Sequence, residues 1–349
     1  MINNSFFSTE ILRWFRENGR DLPWRETRDP YAIWLSEIIL QQTRIAQGWE
    51  YWERFVQTYP KVEDLAAASE DDVLKLWQGL GYYSRARNLH TAAKQIVALG
   101  AFPNTLEGIK SLKGVGDYTA AAIGSFAFDI PAAVVDGNVY RVLSRYFGID
   151  TPINSTQGKK EFAALAQSLL PASDAASYNQ GMMDFGAIQC TPQSPKCLLC
   201  PLAETCEALR CGRVEELPIK NKTVKVKTRH LSYIYIRCKS SVADDSGIPE
   251  PMVAIHRRGE GDIWQGLWEP YNVSDVKELP SFVKNPILLA KDVKHVLTHR
   301  ILLADFYLLE TESRPQLPDD YIWIRESEIE DYGVPRLIEI MLEKINPVE

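Results

Sequence analysis

Long apolar runs are missing from this chain of 349 residues. None approaches the ~20 residues that a membrane-crossing helix needs; the longest candidate, Ala120 to Phe128, stops at Asp129 and Pro131. Residues Met1–Phe7 lack the basic flank and apolar core of a secretory signal. A cytoplasmic protein with no membrane partner is expected, nucleoid-associated if bacterial. A positive excess is missing as well, since 39 basic residues face 46 acidic ones for a net charge of −7. That excludes a chain that is basic throughout, but DNA contact needs only a local basic face. Internal repeats and low-complexity tracts are also lacking.

What is present is an ordinary globular composition, 45% apolar and 24% charged, on a length that suggests two domains. Up to about residue 210 the pattern is helical. Ser8 is expected to cap a first helix carrying Ile11, Leu12 and Phe15, with Gly19 as its stop. Pro30 opens a second helix, with Ile33, Trp34, Glu37, Ile38 and Gln41 at helical spacing. Ser69 precedes an acidic first turn of Glu70, Asp71 and Asp72. Further helices are expected near 83–99, 117–128, 137–147, 156–170 and 174–188. After Pro218 the period changes to that of strands at Leu231–Arg237, Met252–His256, Ile301–Leu309 and Tyr321–Ile324, with a last helix over 335–344. The expected division is an all-α domain over 1–215, a basic linker over 216–230 and a smaller α+β domain over 231–349. The linker carries Lys220, Lys222, Lys225, Lys227 and Arg229 with no acid between Ile219 and His230.

Four cysteines, Cys190, Cys197, Cys200 and Cys206, are spaced C-x6-C-x2-C-x5-C with no histidine nearby. Thiols crowded this way in a cytoplasmic chain suggest a metal site rather than disulfides. The spacing is looser than the arms of a zinc ribbon and suits a [4Fe–4S] cluster, with zinc or unligated thiols as alternatives. Cys211 and Cys238 fall outside the pattern. A second motif, Leu112-Lys113-Gly114-Val115-Gly116-Asp117-Tyr118, places two glycines around one apolar residue between helical patterns. Such a hairpin can aim helix N-terminal amides at a phosphate; its bland reading is a plain interhelical turn, but its place between two helical patterns with Asp136 following favours the hairpin.

The hairpin, Val135-Asp136-Gly137-Asn138-Val139-Tyr140-Arg141-Val142 and the four-cysteine loop resemble the helix–hairpin–helix DNA glycosylases. Asp21-Leu22-Pro23-Trp24-Arg25 and Ser36-Glu37-Ile38-Ile39-Leu40-Gln41-Gln42-Thr43 narrow the resemblance to the adenine DNA glycosylases. Together these motifs span residues 21–206. The resemblance implies a base-excision enzyme that removes adenine opposite 8-oxoguanine or guanine from double-stranded DNA, with a [4Fe–4S] cofactor; a monomer is expected. Breaking an N-glycosidic bond passes through an oxocarbenium-like state served by two carboxyls. Glu37, among apolar neighbours, suits the protonated one and by resemblance protonates adenine N7; Asp136 suits the ionised one and could attack the sugar. The plain alternatives are a surface acid for Glu37 and a helix cap for Asp136.

By the same resemblance Tyr118 stands where lyase-active relatives carry a Schiff-base lysine, so strand cleavage is not expected. Tyr118 and Asn138 would line the sugar and order Asp136. Gln42 and Thr43 would fill the stack vacated by the flipped base, and Tyr82 would intercalate beside the opposite base. Leu112, Gly114, Val115 and Gly116 would hold the backbone, with Lys113 and Asp117 departing from the family's usual residues. Trp24, Arg25 and Gln180 would shape the adenine pocket, although Trp24 alone could be core. The C-terminal region resembles a Nudix-related module around Gly266-Leu267-Trp268-Glu269-Pro270, without the acidic helix that binds catalytic metal. Its loop for 8-oxoguanine is expected at Thr298 and His299, following His295, with Leu297 where the family has an aromatic residue. Strand capping is the plain alternative for these two.

Overall fold

Capping side chains and apolar periodicity explain where most helices begin. The computed structural model describes residues 4–171, 173–221, 226–239, 250–273, 280 and 282–346. Lys222 and Lys225 of the basic stretch therefore lie outside the described residues. The early helices are α1 (Asn4–Asn18), α2 (Pro30–Ile39), α3 (Ile45–Thr58), α4 (Val62–Ala67), α5 (Glu70–Leu76) and α6 (Ser84–Leu99). Then follow α7 (Leu106–Lys110), α8 (Asp117–Phe128), α9 (Gly137–Phe147), α10 (Thr156–Leu169), α11 (Ala175–Asp184) and α12 (Glu207–Arg210). Ser69 accepts from Asp72 N to cap α5, and Asp29 accepts from Tyr31 N with Pro30 starting α2. Ser8 does not cap: α1 begins four residues earlier at Asn4, and buried Ser8 donates its hydroxyl to the Leu169 carbonyl (2.6 Å). A serine hydroxyl can be satisfied across a helix pair as well as at a cap.

Contacts divide the chain into two units, residues 1–66 with 91–222, and residues 67–90 with 223–349. The expected linker falls on both. Leu217 is buried and Ile153 N donates to the Ile219 carbonyl in the first unit, whereas Lys227 already begins a strand of the second. In the first unit, Phe7, Ile11 and Trp14 of α1 pack with Val142, Leu143 and Tyr146 of α9, Phe162 of α10 and Met182 of α11. Helix α2 is buried from Tyr31 through Ile39 without a break. A helix apolar on all sides belongs inside, so its lone carboxylate, Glu37, goes inside with it.

The second unit is built on a mixed sheet of β1 (Lys227–Cys238), β2 (Met252–Arg257), β3 (Trp268–Glu269), β4 (Tyr271–Val273), β5 (Ile287–Val296), β6 (Arg300–Thr311) and β7 (Tyr321–Arg325). The order is β3-β2-β1-β6-β5, with β4 also on β1 and β7 also on β2. Strands β1 and β6 run parallel from Lys227↔Arg300 to Cys238↔Thr311; the remaining pairs are antiparallel. Leu231 through Ile236 are buried on both faces, as a central parallel strand requires. One face packs on Leu337, Ile338 and Met341 of α13 (Arg336–Ile345). Strand β5 and the short β3 and β4 carried no strong sequence period; β5 is largely exposed, so little apolar alternation marks it.

Candidate active site

Glu37 is 7% exposed on α2, and the hydroxyl of Tyr118, in the first turn of α8, donates to its Oε2 at 2.9 Å. Burial pushes the Glu37 carboxyl up to about 7; the negative charge of Asp136 adds to the rise, while the Tyr118 bond and Arg25 oppose it. Burial and the same two carboxylates hold the Tyr118 phenol well above its ordinary value. Asp136 is the N-cap of α9. Its Oδ1 accepts from Val139 N (2.7 Å) and its Oδ2 from Asn138 Nδ2 (2.8 Å). Burial raises the Asp136 carboxyl against those bonds and the Arg141 charge, which favour its ionised form. The side chain that caps α9 thus also lines the cavity, and stands at the positive end of its helix.

A cavity of about 700 Å³ joins these groups. Glu37, Tyr118, Asp136 and Asn138 line it together with Trp24, Arg25, Gln42, Thr43 and Gln180. Arg20, Asp184 and Arg141, given no role in the sequence, frame this wall. Arg25 and Arg20 both grip the fully buried Asp184, at 2.8 and 2.5 Å, which fixes the turn carrying Trp24. Arg141 donates to Asn138 Oδ1 (2.9 Å), to the Gly186 carbonyl (2.5 Å) and to the Cys190 carbonyl (2.8 Å). A lone acid such as Asp184 within an apolar helical pattern was the available signal for the first pair. Gln42 at the rim has φ of +58°, a left-handed conformation that projects a side chain from a sharp turn.

The hairpin residues do not reach this cavity. Leu112 and Val115 are buried, so outward the loop between α7 and α8 presents backbone, with Gly114 at φ +79° and Gly116 as the N-cap of α8. Asp117 pairs with Lys110, which cancels its charge locally. In the second unit, Thr298 and His299 form the exposed two-residue turn between β5 and β6. Tyr82, 52% exposed and at φ +48°, places its hydroxyl 2.5 Å from Thr298 Oγ1. These three residues line a groove of about 540 Å³ with Leu80, Trp264 and Leu297.

The four cysteines of the loop surround one small cavity, and none is in a disulfide. Burial raises the thiols of Cys197, Cys200 and Cys206, Cys200 to about 11, and the charge of Cys190 adds to each. Mutual repulsion of that kind requires all four to be neighbours. Buried Arg145 donates to Cys190 Sγ (3.4 Å) and to the carbonyls of Thr191, Pro192 and Leu217, leaving its charge to balance thiolates. Among the described residues no three metal-binding side chains converge on one point. Four thiols around a shared cavity, backed by a buried cation, are a donor set that would hold an iron–sulfur cluster.

The fold and these two centres define the class: helix–hairpin–helix base-excision repair enzymes carrying an iron–sulfur segment. Residues 35–171 match the HhH-GPD superfamily of base excision DNA repair proteins, 190–206 the iron–sulfur binding domain of endonuclease III, and 249–344 the NUDIX domain. An adenine DNA glycosylase of Buchnera aphidicola from Schizaphis graminum is 30% identical over 97% of this chain and 98% of its own length. The mouse adenine DNA glycosylase is 42% identical over 61% of this chain, which spans 44% of that longer protein. A thermostable thymine-DNA glycosylase of known structure is 34% identical, with TM-score 0.56, over 60% of this chain and 97% of its own. A trapped endonuclease III–DNA covalent intermediate shares the fold at 23% identity and TM-score 0.53, over 61% of this chain and 99% of its own. The chain belongs to the adenine DNA glycosylases, and its cofactor is a [4Fe–4S] cluster held in the 190–206 segment. Among the described residues no helix is long and apolar enough to cross a membrane.

Proposed function

We propose that this enzyme, acting as a monomer, excises adenine opposite 8-oxoguanine or guanine in double-stranded DNA by hydrolysis, without cutting the strand. The observation that carries the reading is a carboxyl raised toward neutrality and a second, hydrogen-bonded carboxyl on different helices of one cavity. Glu37, with a carboxyl poised near neutrality, donates its proton to N7 of the extruded adenine. The C1′–N9 bond breaks with its electron pair leaving on the base, and Asp136 meets the cation that develops at C1′, ion-paired or as a transient ester. Water then adds to C1′ and passes its proton to the Glu37 carboxylate left by the first step, giving an abasic site. Tyr118 and Asn138 hold the two carboxyls, and Trp24, Arg25 and Gln180 shape the adenine pocket. Gln42 and Thr43 fill the gap in the duplex, and the Leu112–Gly116 backbone holds a phosphate. In the second unit, Tyr82 enters beside the opposite base, whose edge Thr298 and His299 read.

Strand cleavage through a Schiff base needs an amine near C1′, and the position that would supply it holds the Tyr118 phenol. The test incubates the purified protein with duplexes carrying A opposite 8-oxoguanine, G or T. Alkali-labile abasic sites opposite the first two, with no adduct trapped by borohydride, are expected. No release opposite 8-oxoguanine, or efficient trapping, overturns the reading.

A further inference from the structure

Trp264 occupies a backbone conformation that large side chains avoid. Its φ is +61°, and nothing in its own size favours that. The segment around it is bound in place: Arg258 N donates to the Leu267 carbonyl, Gly266 N to the Arg258 carbonyl, Leu267 N to the Trp264 carbonyl and Arg258 Nε to the Ile263 carbonyl. The Arg258 guanidinium lies 5.8 Å from the Trp264 ring and the His295 ring at the same distance. Asp262 completes the frame. Its carboxylate takes Arg229 of β1 (2.7 Å), Arg258 (2.8 Å) and Arg300 (3.5 Å), the residue that follows the Thr298–His299 turn. One carboxylate therefore ties the tryptophan loop to the strand that follows the polar turn.

We propose that Trp264 supplies the aromatic face on which the base opposite the excised adenine rests, an inference that builds on the reading above. A nucleobase presents edges and two π-faces. The turn offers a hydroxyl and an imidazole to an edge, but the residue preceding it, Leu297, is aliphatic. Tyr82, standing in the stack, covers one face. The partly buried ring of Trp264 lines the same groove and, on this proposal, takes the other. Stacking tolerates any base because every base has a π-face. Trp264 thus contributes affinity that depends on a base being present and not on which purine it is, whereas the Thr298–His299 turn discriminates between purines.

The experiment measures equilibrium binding of the full-length chain to three duplexes, with 8-oxoguanine, guanine or a tetrahydrofuran abasic analogue opposite a 2′-fluoro-deoxyadenosine that blocks excision. Trp264→Leu should weaken binding about five-fold for both purine duplexes alike and leave the tetrahydrofuran duplex unchanged. Trp264→Phe should stay within about two-fold of the parent on all three. An equal loss on all three duplexes, or no loss on any, overturns the proposal. Should Trp264→Leu fail to melt cooperatively, Trp264→Met is judged by the same ratios. A parent protein that binds the purine and tetrahydrofuran duplexes equally overturns the underlying reading of the groove. A parent that separates them while Trp264→Leu behaves like it overturns Trp264 alone.

Discussion

At the residue scale the two carboxyls differ in what their surroundings do to a proton. Glu37 is shifted from 4.5 to about 7, chiefly by burial. As a proton donor it works only while protonated, so single-turnover excision should fall about ten-fold per pH unit above pH 7 and level off below it. Stability follows with the opposite preference. A carboxyl whose folded pKa is raised burdens the folded state once pH passes its unfolded value near 4.5, and fully so above about 7. Glu37→Gln should therefore abolish excision yet raise stability at pH 8, by at most about 3 kcal/mol, with the advantage gone near pH 4. Denaturant unfolding at the two pH values checks the sign. Asp136 separates its two duties by substitution. Asn at 136 can still accept from Val139 N but turns an NH2 toward Asn138 Nδ2, so Asp136→Asn should cost less stability than loss of the cap and still lose excision. Asp136→Ala should lose excision and about 1 kcal/mol besides, the cap having gone.

At the scale of elements, the site is assembled where helix ends meet. Gly186 lies in a wide turn, Phe185–Gln189, that continues α11. A Cβ there would fall 2.5 Å from Asn138 Cβ and 2.9 Å from its Cα, so only glycine lets the turn lie against the start of α9. Gly186→Ala should push Asn138 and with it Asp136. Excision should drop at least ten-fold while unfolding free energy falls by about 1–3 kcal/mol; a thermal melt and a single-turnover assay give both numbers. The same junctions mark how far the sequence could be read. Helices α8 and α9 were legible to the residue, because Gly116, Asp136 and Gly148 are strong stop and start signals. Glu37, Tyr118 and Asp136 were legible as types suited to the chemistry. Their convergence was legible only through the family resemblance, since α2, α8 and α9 are distant in sequence and only packing brings them together. Asp184 and Arg141 act through contacts far along the chain, at Arg20 and Arg25 for one and Cys190 for the other, and no local spacing announces such partners. Trp264 was invisible for a different reason: a left-handed φ at a tryptophan is a property of the loop, with no signature in the residue.

At the scale of the whole molecule, residues 67–90 interrupt the first unit in sequence and belong to the second in space. Gln78 donates to Glu339 (2.6 Å), Arg87 to the Gln265 carbonyl (2.6 Å) and Arg257 to Glu70 (2.8 Å). Leu74 lies so close to Gly266 that an added Cβ there would touch its Cδ1 at 3.0 Å. Deleting everything after residue 222 would leave this segment without those partners, and Tyr82 without Thr298. Discrimination by one or two hydrogen bonds from the Thr298–His299 turn is worth roughly 1–3 kcal/mol, a preference of about 10- to 100-fold for 8-oxoguanine over guanine. The truncated chain should lose that preference and melt at a lower temperature than the full chain, because Leu74 and its neighbours meet water. The double substitution Thr298→Ala with His299→Ala should lose the preference alone, since both side chains are exposed and no core contact goes with them. Excision opposite 8-oxoguanine and opposite guanine, measured beside melting temperature for the three proteins, separates the two effects. If the double variant keeps the full preference while the truncated chain loses it, the reading comes from residues 67–90 held in shape by the rest of their unit, and the turn is only its support.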